Sequence, residues 1–338
     1  MSAIDLGKYE VRTDLISESL SNIDDYKREV TKDKDITIET IMLDNDKAQM
    51  IGKKAGVYKT ISFLDATDED NYQDLLEVVA KEIKKMLDIM EIKDNYSCLI
   101  IGLGNRKSTA DAIGPLMIDK IKITRQIVNL KLPLSDKYRV ISSFVPGVMG
   151  VTGIETSDII VALKEKVKPD FMIVVDSLKA SVIDRVNKTI QLTNTGITPG
   201  SGLLSNREEI SEEILKIPVL AIGVPTVLEA ATIVSNTINY LYKHFSYEKE
   251  NINNQKLKLI PVNNRNYKDH QHDLSTLEKE KVLGLLGSLK ENELEELIKE
   301  VLIPLGYNYL VTPKDIDEEV LKLSSLLADA INKSLLIK

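Results

Sequence analysis

Between Cys98 and about Lys243 the chain alternates short apolar runs with stretches of helical period, an order that few folds accept. The runs are Cys98–Leu103, 139–144 (RVISSF), 171–176 (FMIVVD), 189–192 (TIQL) and 219–224 (VLAIGV). Helical patterns begin near Asp111, at Glu155–Lys166, after Asp176, near Arg207–Leu215 and from Thr226. Strands joined through helical crossovers pair in parallel, and a parallel sheet needs cover on both faces. The expected fold is therefore α/β: a three-layer αβα arrangement with a mostly parallel sheet.

Flanking segments extend that core. Before it, ITIETIML (36–43) and GVYKTISF (56–63) read as added strands. Residues 70–93 read as an amphipathic helix with Leu75, Leu76, Val79, Ile83, Met86, Leu87 and Met90 on one face. The core so defined spans about 70–245, followed by a polar excursion over 246–273 that lacks apolar period. Three C-terminal amphipathic helices follow from Ser275, the third starting at Thr312–Pro313 with Thr as N-cap.

Composition excludes several classes of function. With 43% apolar and 28% charged residues the chain can bury a sizeable core. A net charge of -8 disfavours direct nucleic-acid binding through a basic surface. The start MSAIDLGKYEVRTD has no secretory pattern, and no apolar run approaches the roughly 20 residues of a membrane span. Cys98 is the single cysteine, so no intrachain disulfide forms. The expectation from these features is a cytoplasmic enzyme with no membrane segment and no direct nucleic-acid partner.

Absences also narrow the chemistry. His244, His270 and His272 all lie in or after the last helix of the α/β region, away from the glycine-rich turns. A Ser-His or Cys-His nucleophile has little to work with, and Cys98 inside the strand pattern YSCLIIGLG reads as structural. His270 and His272 in DHQHD have metal-ligand character, but their polar flanks read as a solvated tract. GLGN at 102–105 has Lys107 where a dinucleotide fingerprint needs a third glycine, so no nucleotide cofactor is expected. Its glycines fit a tight turn that lets the backbone approach a substrate or a neighbouring loop.

Two aspartates remain, each where an apolar run gives way to a turn: Asp111 in GLGNRKSTADAIGPL and Asp176 in FMIVVDSLKA. Interacting carboxyls at the rim of a sheet can divide, one protonated and one ionised, into a general acid and a general base. Open α/β sheets place their active sites outside the carboxyl ends of strands, where both aspartates fall. Each also fits a plainer role as a helix N-cap. For Asp111 cap and catalysis fit equally; for Asp176 the apolar run before it weighs against a cap, and nearby Lys179 would favour its ionised form. The loop VPGVMGVTGIETSD (145–158) is longer than a connection needs and reads as a binding loop beside them. Ser201 in TGITPGSG lacks the surroundings of a nucleophile elbow and reads as part of a turn.

The longer motifs carry a resemblance. GLGN-x4-AD-x-IGPL, FVPGVMGVTGIETSDII, KPDFMIVVDSLKA, VNKTIQLTNTGITPGSG, IPVLAIGVPTVLEAATIVS and LVTPKDID together resemble the germination protease family of spore-forming bacteria. That family is similar in its core to hydrogenase-maturation endopeptidases, which implies a phosphorylase- or hydrolase-like core. The resemblance implies an endopeptidase that degrades the small acid-soluble proteins protecting spore DNA, acting in the forespore or spore core. It places the family's essential aspartates on Asp111 and Asp176, an acid–base pair on water with no cofactor or metal. It also implies a homotetramer made as a self-processing zymogen. Family substrates are cut between an acidic and an apolar residue with Ser-Glu following, as in Glu-Ile-Ala-Ser-Glu. Asp14-Leu15-Ile16-Ser17-Glu18 repeats that order. Cleavage between Asp14 and Leu15 is expected, in a flexible N-terminus, leaving 1–14 as propeptide and 15–338 as a single catalytic domain.

The chain departs from the family pattern at Thr198, where members often have His, in LLSNR, and at Ser177 and Lys179 in VDSLK. These changes bear on the shape of the substrate cleft. Two other readings stay open: a maturation-type endopeptidase holding a divalent metal between the same acids, and a non-catalytic binding protein on this scaffold.

Overall fold

The computed structural model describes residues 15–16, 26–133, 135, 137–199, 209–254, 267, 270, 272–302 and 309–337. Asp14 and the rest of the expected propeptide lie outside the described residues, as do Ser201 and most of the polar excursion. In chain order the principal elements are β1 (Lys27–Asp33), β2 (Ile36–Leu43), β3 (Gly56–Ser62), α1 (Glu69–Ile89), β4 (Cys98–Gly102), α2 (Ile113–Ile118), β5 (Ile141–Phe144) and α3 (Thr156–Val167). They continue with β6 (Phe171–Ala180), β7 (Thr189–Thr193), β8 (Val219–Glu229), α4 (Ala230–Glu250), α5 (Thr276–Leu283), α6 (Glu291–Leu302), β9 (Leu310–Val311) and α7 (Ile316–Ser334).

The chain divides into two compact units. The larger runs through Ala180, resumes over Asp184–Val227 and closes with Thr312 onward; the smaller holds Ser181–Ile183 and Leu228–Val311. The sheet of the larger unit has the order β1-β2-β3-β7-β8-β6-β4-β5. Alternate residues of its central strands face two cores. Cys98 and Ile100 of β4, with Phe171, Ile173 and Val175 of β6, meet α1, α2 and α7 on one face. Leu99, Ile101, Met172 and Val174 meet Ile160 and Leu163 of α3 on the other. This two-sided burial is why β4 and β6 read as continuous apolar runs. The α/β class and the three layers are as expected.

The sheet is less parallel than the alternation implies. Parallel pairing joins β5 to β4 and β4 to β6. From β1 to β8 the pairs β1–β2, β2–β3, β3–β7 and β7–β8 are antiparallel. A turn at Lys34–Asp35 joins β1 to β2, too short for the crossover that parallel neighbours need. β1 is polar and exposed along its length, as suits a sheet edge that must not recruit another chain.

Helix α1 matches its pattern closely. Asp68 caps its first turn through Asp70 N–H, and Leu75, Leu76, Val79, Ile83, Met86 and Leu87 are buried. Glu82 on the same face is buried too, and meets Lys59 of β3 at 2.6 Å. Three boundaries differ from expectation. β6 continues four residues beyond Asp176 to Ala180, where a helix was expected. β8 continues to Glu229, so the helix expected from Thr226 begins at Ala230 and runs to Glu250. The last helix starts at Ile316 with Asp315 in the cap position, rather than at Thr312–Pro313.

In the smaller unit, Ala231 and Ile238 of α4 pack with Leu294, Ile298 and Leu302 of α6. β9 pairs with Leu228 and Glu229 at the end of β8.

Candidate active site

The site is built on a close approach of backbones at the carboxyl end of β4. Gly102 pairs with Val175 of β6, and the Leu103 N–H donates to the Val175 carbonyl at 2.8 Å. The chain then turns through Gly104, whose φ of +114° favours glycine. A Cβ on Gly104 would lie 2.1 Å from the Asp111 carbonyl oxygen and 3.0 Å from its Oδ1. The glycines of GLGN therefore serve a neighbouring loop, and that loop carries Asp111.

Hydrogen bonds fold residues 105–111 back on themselves. The Asn105 N–H donates to the Asp111 carbonyl and to its Oδ2, each at 2.9 Å. Ser108 N–H donates to the Asn105 carbonyl at 2.9 Å and Asp111 N–H to the Ser108 carbonyl at 2.8 Å. Arg106 turns outward, its two terminal guanidinium nitrogens each donating to Asp119 at 2.7 Å. Thr226 of β8, fully buried, donates its hydroxyl to the Ala110 carbonyl at 2.6 Å. The sequence pattern missed Thr226 because it reads there as a helix start; a hydroxyl inside an apolar run was the available signal.

Asp111 closes the single-turn 3-10 segment Thr109–Asp111 and caps no helix; Ala112 occupies the cap position of α2. Burial pushes its carboxyl up to about 6, against the Asn105 N–H, which pulls it down. Asp176 is buried within β6, and its Oδ1 accepts the N–H of Ser177 at 2.9 Å. Both cap readings thus fall, since neither carboxylate stands at the start of a helix. The turn holding Asp111 packs against β6, so the two aspartates share one end of the sheet.

Other residues singled out in the sequence fall as follows. The loop after β5 forms a short helix, Met149–Thr152, closed by Gly153 in the left-handed region, with Phe144, Met149, Val151 and Ile154 exposed. Lys179 lies three residues beyond Asp176 on β6. Thr198 lies beside Ile197, which bridges Ile210. Cys98 is buried, and burial pushes its thiol up, away from thiolate character. Leu15 and Ile16 are buried too. Ile16 packs on Ile41, Leu43, Ala48 and Tyr58, and its N–H donates to Gln191 Oε1 at 2.8 Å. The expectation of a loose N-terminus therefore fails at these two residues: both side chains are buried, and that of Ile16 completes a small core.

Comparison with known proteins matches this architecture to one family. The family model of the germination protease fits residues 3–338. A germination protease from Oceanobacillus iheyensis is 41% identical, covering 97% of this chain and 94% of its own. Those of Priestia megaterium and Bacillus subtilis are 40% and 39% identical, each covered to 95% by 98% and 99% of this chain. Among solved structures, a NiFe hydrogenase maturation protease, HycI from Thermococcus kodakarensis, aligns over 42% of this chain and 80% of its own. That alignment has 17% identity and a TM-score of 0.27, too slight to carry an argument. Near-complete coverage at such identity leaves one assignment: the chain belongs to the germination protease family.

Proposed function

We propose that this peptidase is an aspartic-type endopeptidase in which Asp111 and Asp176 act as the acid–base pair. The observation that carries the reading is Asp111 itself. A carboxyl raised to about 6 by burial, at the carboxyl end of a central strand, holds its proton to a higher pH than an ordinary aspartate does, as suits a proton donor. Asp111 is assigned as the proton donor to the leaving amine, and Asp176 takes the proton of the attacking water.

The substrates in this reading are small acid-soluble spore proteins in the spore core, and the active form is a homotetramer. The chain starts as a zymogen cut between Asp14 and Leu15. Membership of the family supports each of these points, and the Asp-Leu-Ile-Ser-Glu run supports the last. No helix among the described residues is long and apolar enough to cross a membrane.

The test is mass spectrometry of a small acid-soluble spore protein incubated with wild type, Asp111→Asn and Asp176→Asn. Each isosteric change is expected to lower cleavage by at least about 10³-fold with the fold retained. Proteolysis at the wild-type rate in either variant would remove that aspartate from the mechanism.

A further inference from the structure

The three histidines have no part in the proposed chemistry, yet two of them meet a carboxylate that the sequence separates from them by about 20 positions. Glu250 is the last residue of α4. Its Oε2 faces His270 Nε2 at 3.3 Å, and its Oε1 faces His272 Nδ1 at 3.5 Å. Donor atoms of all three lie within 4.8 Å of one another. Donors about 2.0–2.1 Å from a tetrahedral zinc ion stand roughly 3.3 Å apart, close to the spacings here.

A solvated tract does not account for this arrangement. The His270 side chain is only 12% exposed, and Nε2 is buried with no hydrogen-bond partner among the described residues, although the carboxylate faces it. An unsatisfied buried nitrogen is costly, and coordination would satisfy it. The edge of Tyr247, one turn back on α4, sets the His270 ring, with centroids 5.6 Å apart and planes at 84°. The cluster also sits at the C-terminal end of α4, where the helix dipole favours a cation.

We propose that Glu250, His270 and His272 form a site for a divalent transition-metal ion of the zinc class, with a fourth position open to water. Two imidazole nitrogens and one carboxylate oxygen suit that class better than calcium or magnesium, which take all-oxygen sites. The ion would clamp the segment leading into α5 onto the end of α4, a structural role that does not depend on the aspartate mechanism.

The test uses untagged full-length chain freed of metal with a chelator, titrated with CoCl2 and then ZnCl2. The visible bands of tetrahedral cobalt should saturate at one ion per chain and vanish as zinc displaces it. His272→Ala and Glu250→Gln should each weaken binding at least about tenfold. His244→Ala, which removes the histidine outside the cluster, should leave binding unchanged. One equivalent of zinc should raise the Tm of wild type and neither of the two weakened variants. His272 is 75% exposed, so its replacement does not threaten the fold. The proposal is overturned if wild type binds no single saturable ion, or if affinity is unchanged in either variant.

Discussion

At Asp111, burial and the Asn105 N–H pull the carboxyl in opposite directions, and burial wins. The folded chain therefore holds this proton more tightly than the unfolded chain does. Raising the value from 3.8 to about 6 corresponds to about 3 kcal/mol. For an acid whose folded value is raised, that stability is complete below about pH 4 and is lost as pH climbs through about 6. Asp111→Asn carries no charge at any pH, and its side-chain oxygen can still accept the Asn105 N–H. At pH 7.5 the variant should be more stable than wild type by up to about 3 kcal/mol, with the difference nearly gone at pH 4. Urea unfolding at both pH values measures this, and a gap that does not change with pH would show that burial does not set the proton affinity. A gain in stability on removal of the proposed catalytic group is the mark of a site whose strain serves a task.

At the scale of elements, placement of Asp111 depends on the β4 turn more than on the aspartate's own neighbours. Gly104→Ala brings both an unfavourable φ and a Cβ inside the Asp111 backbone, with nothing flexible to yield. The expected result is a loss of about 1–3 kcal/mol in thermal or urea unfolding, and of about 10²-fold in kcat/KM as Asp111 moves. Normal activity in Gly104→Ala would mean that this contact does not position the site. The apolar runs and the α1 stripe were legible because burial imposes a period on them. The ends of β6 and β8 were not. Ser177–Ala180 is only four residues long with a central Lys, and so short a window does not separate strand from helix. Within the fold its Leu178 and Ala180 are buried while Ser177 and Lys179 are half-buried, a period of two that pairing enforces.

At the scale of the molecule, the buried Leu15–Ile16 step bears on the proposed processing. A bond beside two docked residues reaches an active site only after they leave their pocket. Ile16→Ala removes a buried side chain, a loss of about 2–5 kcal/mol at a fully packed site, yet the resulting Asp-Leu-Ala-Ser-Glu keeps the expected substrate order. N-terminal processing, followed by intact mass, should therefore speed up in Ile16→Ala; an unchanged or slower rate would show that docking of Ile16 does not restrain the cut. The class of fold, the layers and the family were determined by the sequence itself, because apolar periodicity and long motifs are local properties of the chain. That Asp111 sits in a tight turn against β6 rather than capping a helix was decided only by tertiary structure. So were the burial of Leu15 and the meeting of Glu250 with His270 and His272. Each of these depends on which distant residues exclude water from a group, and no stretch of neighbouring residues encodes that on its own.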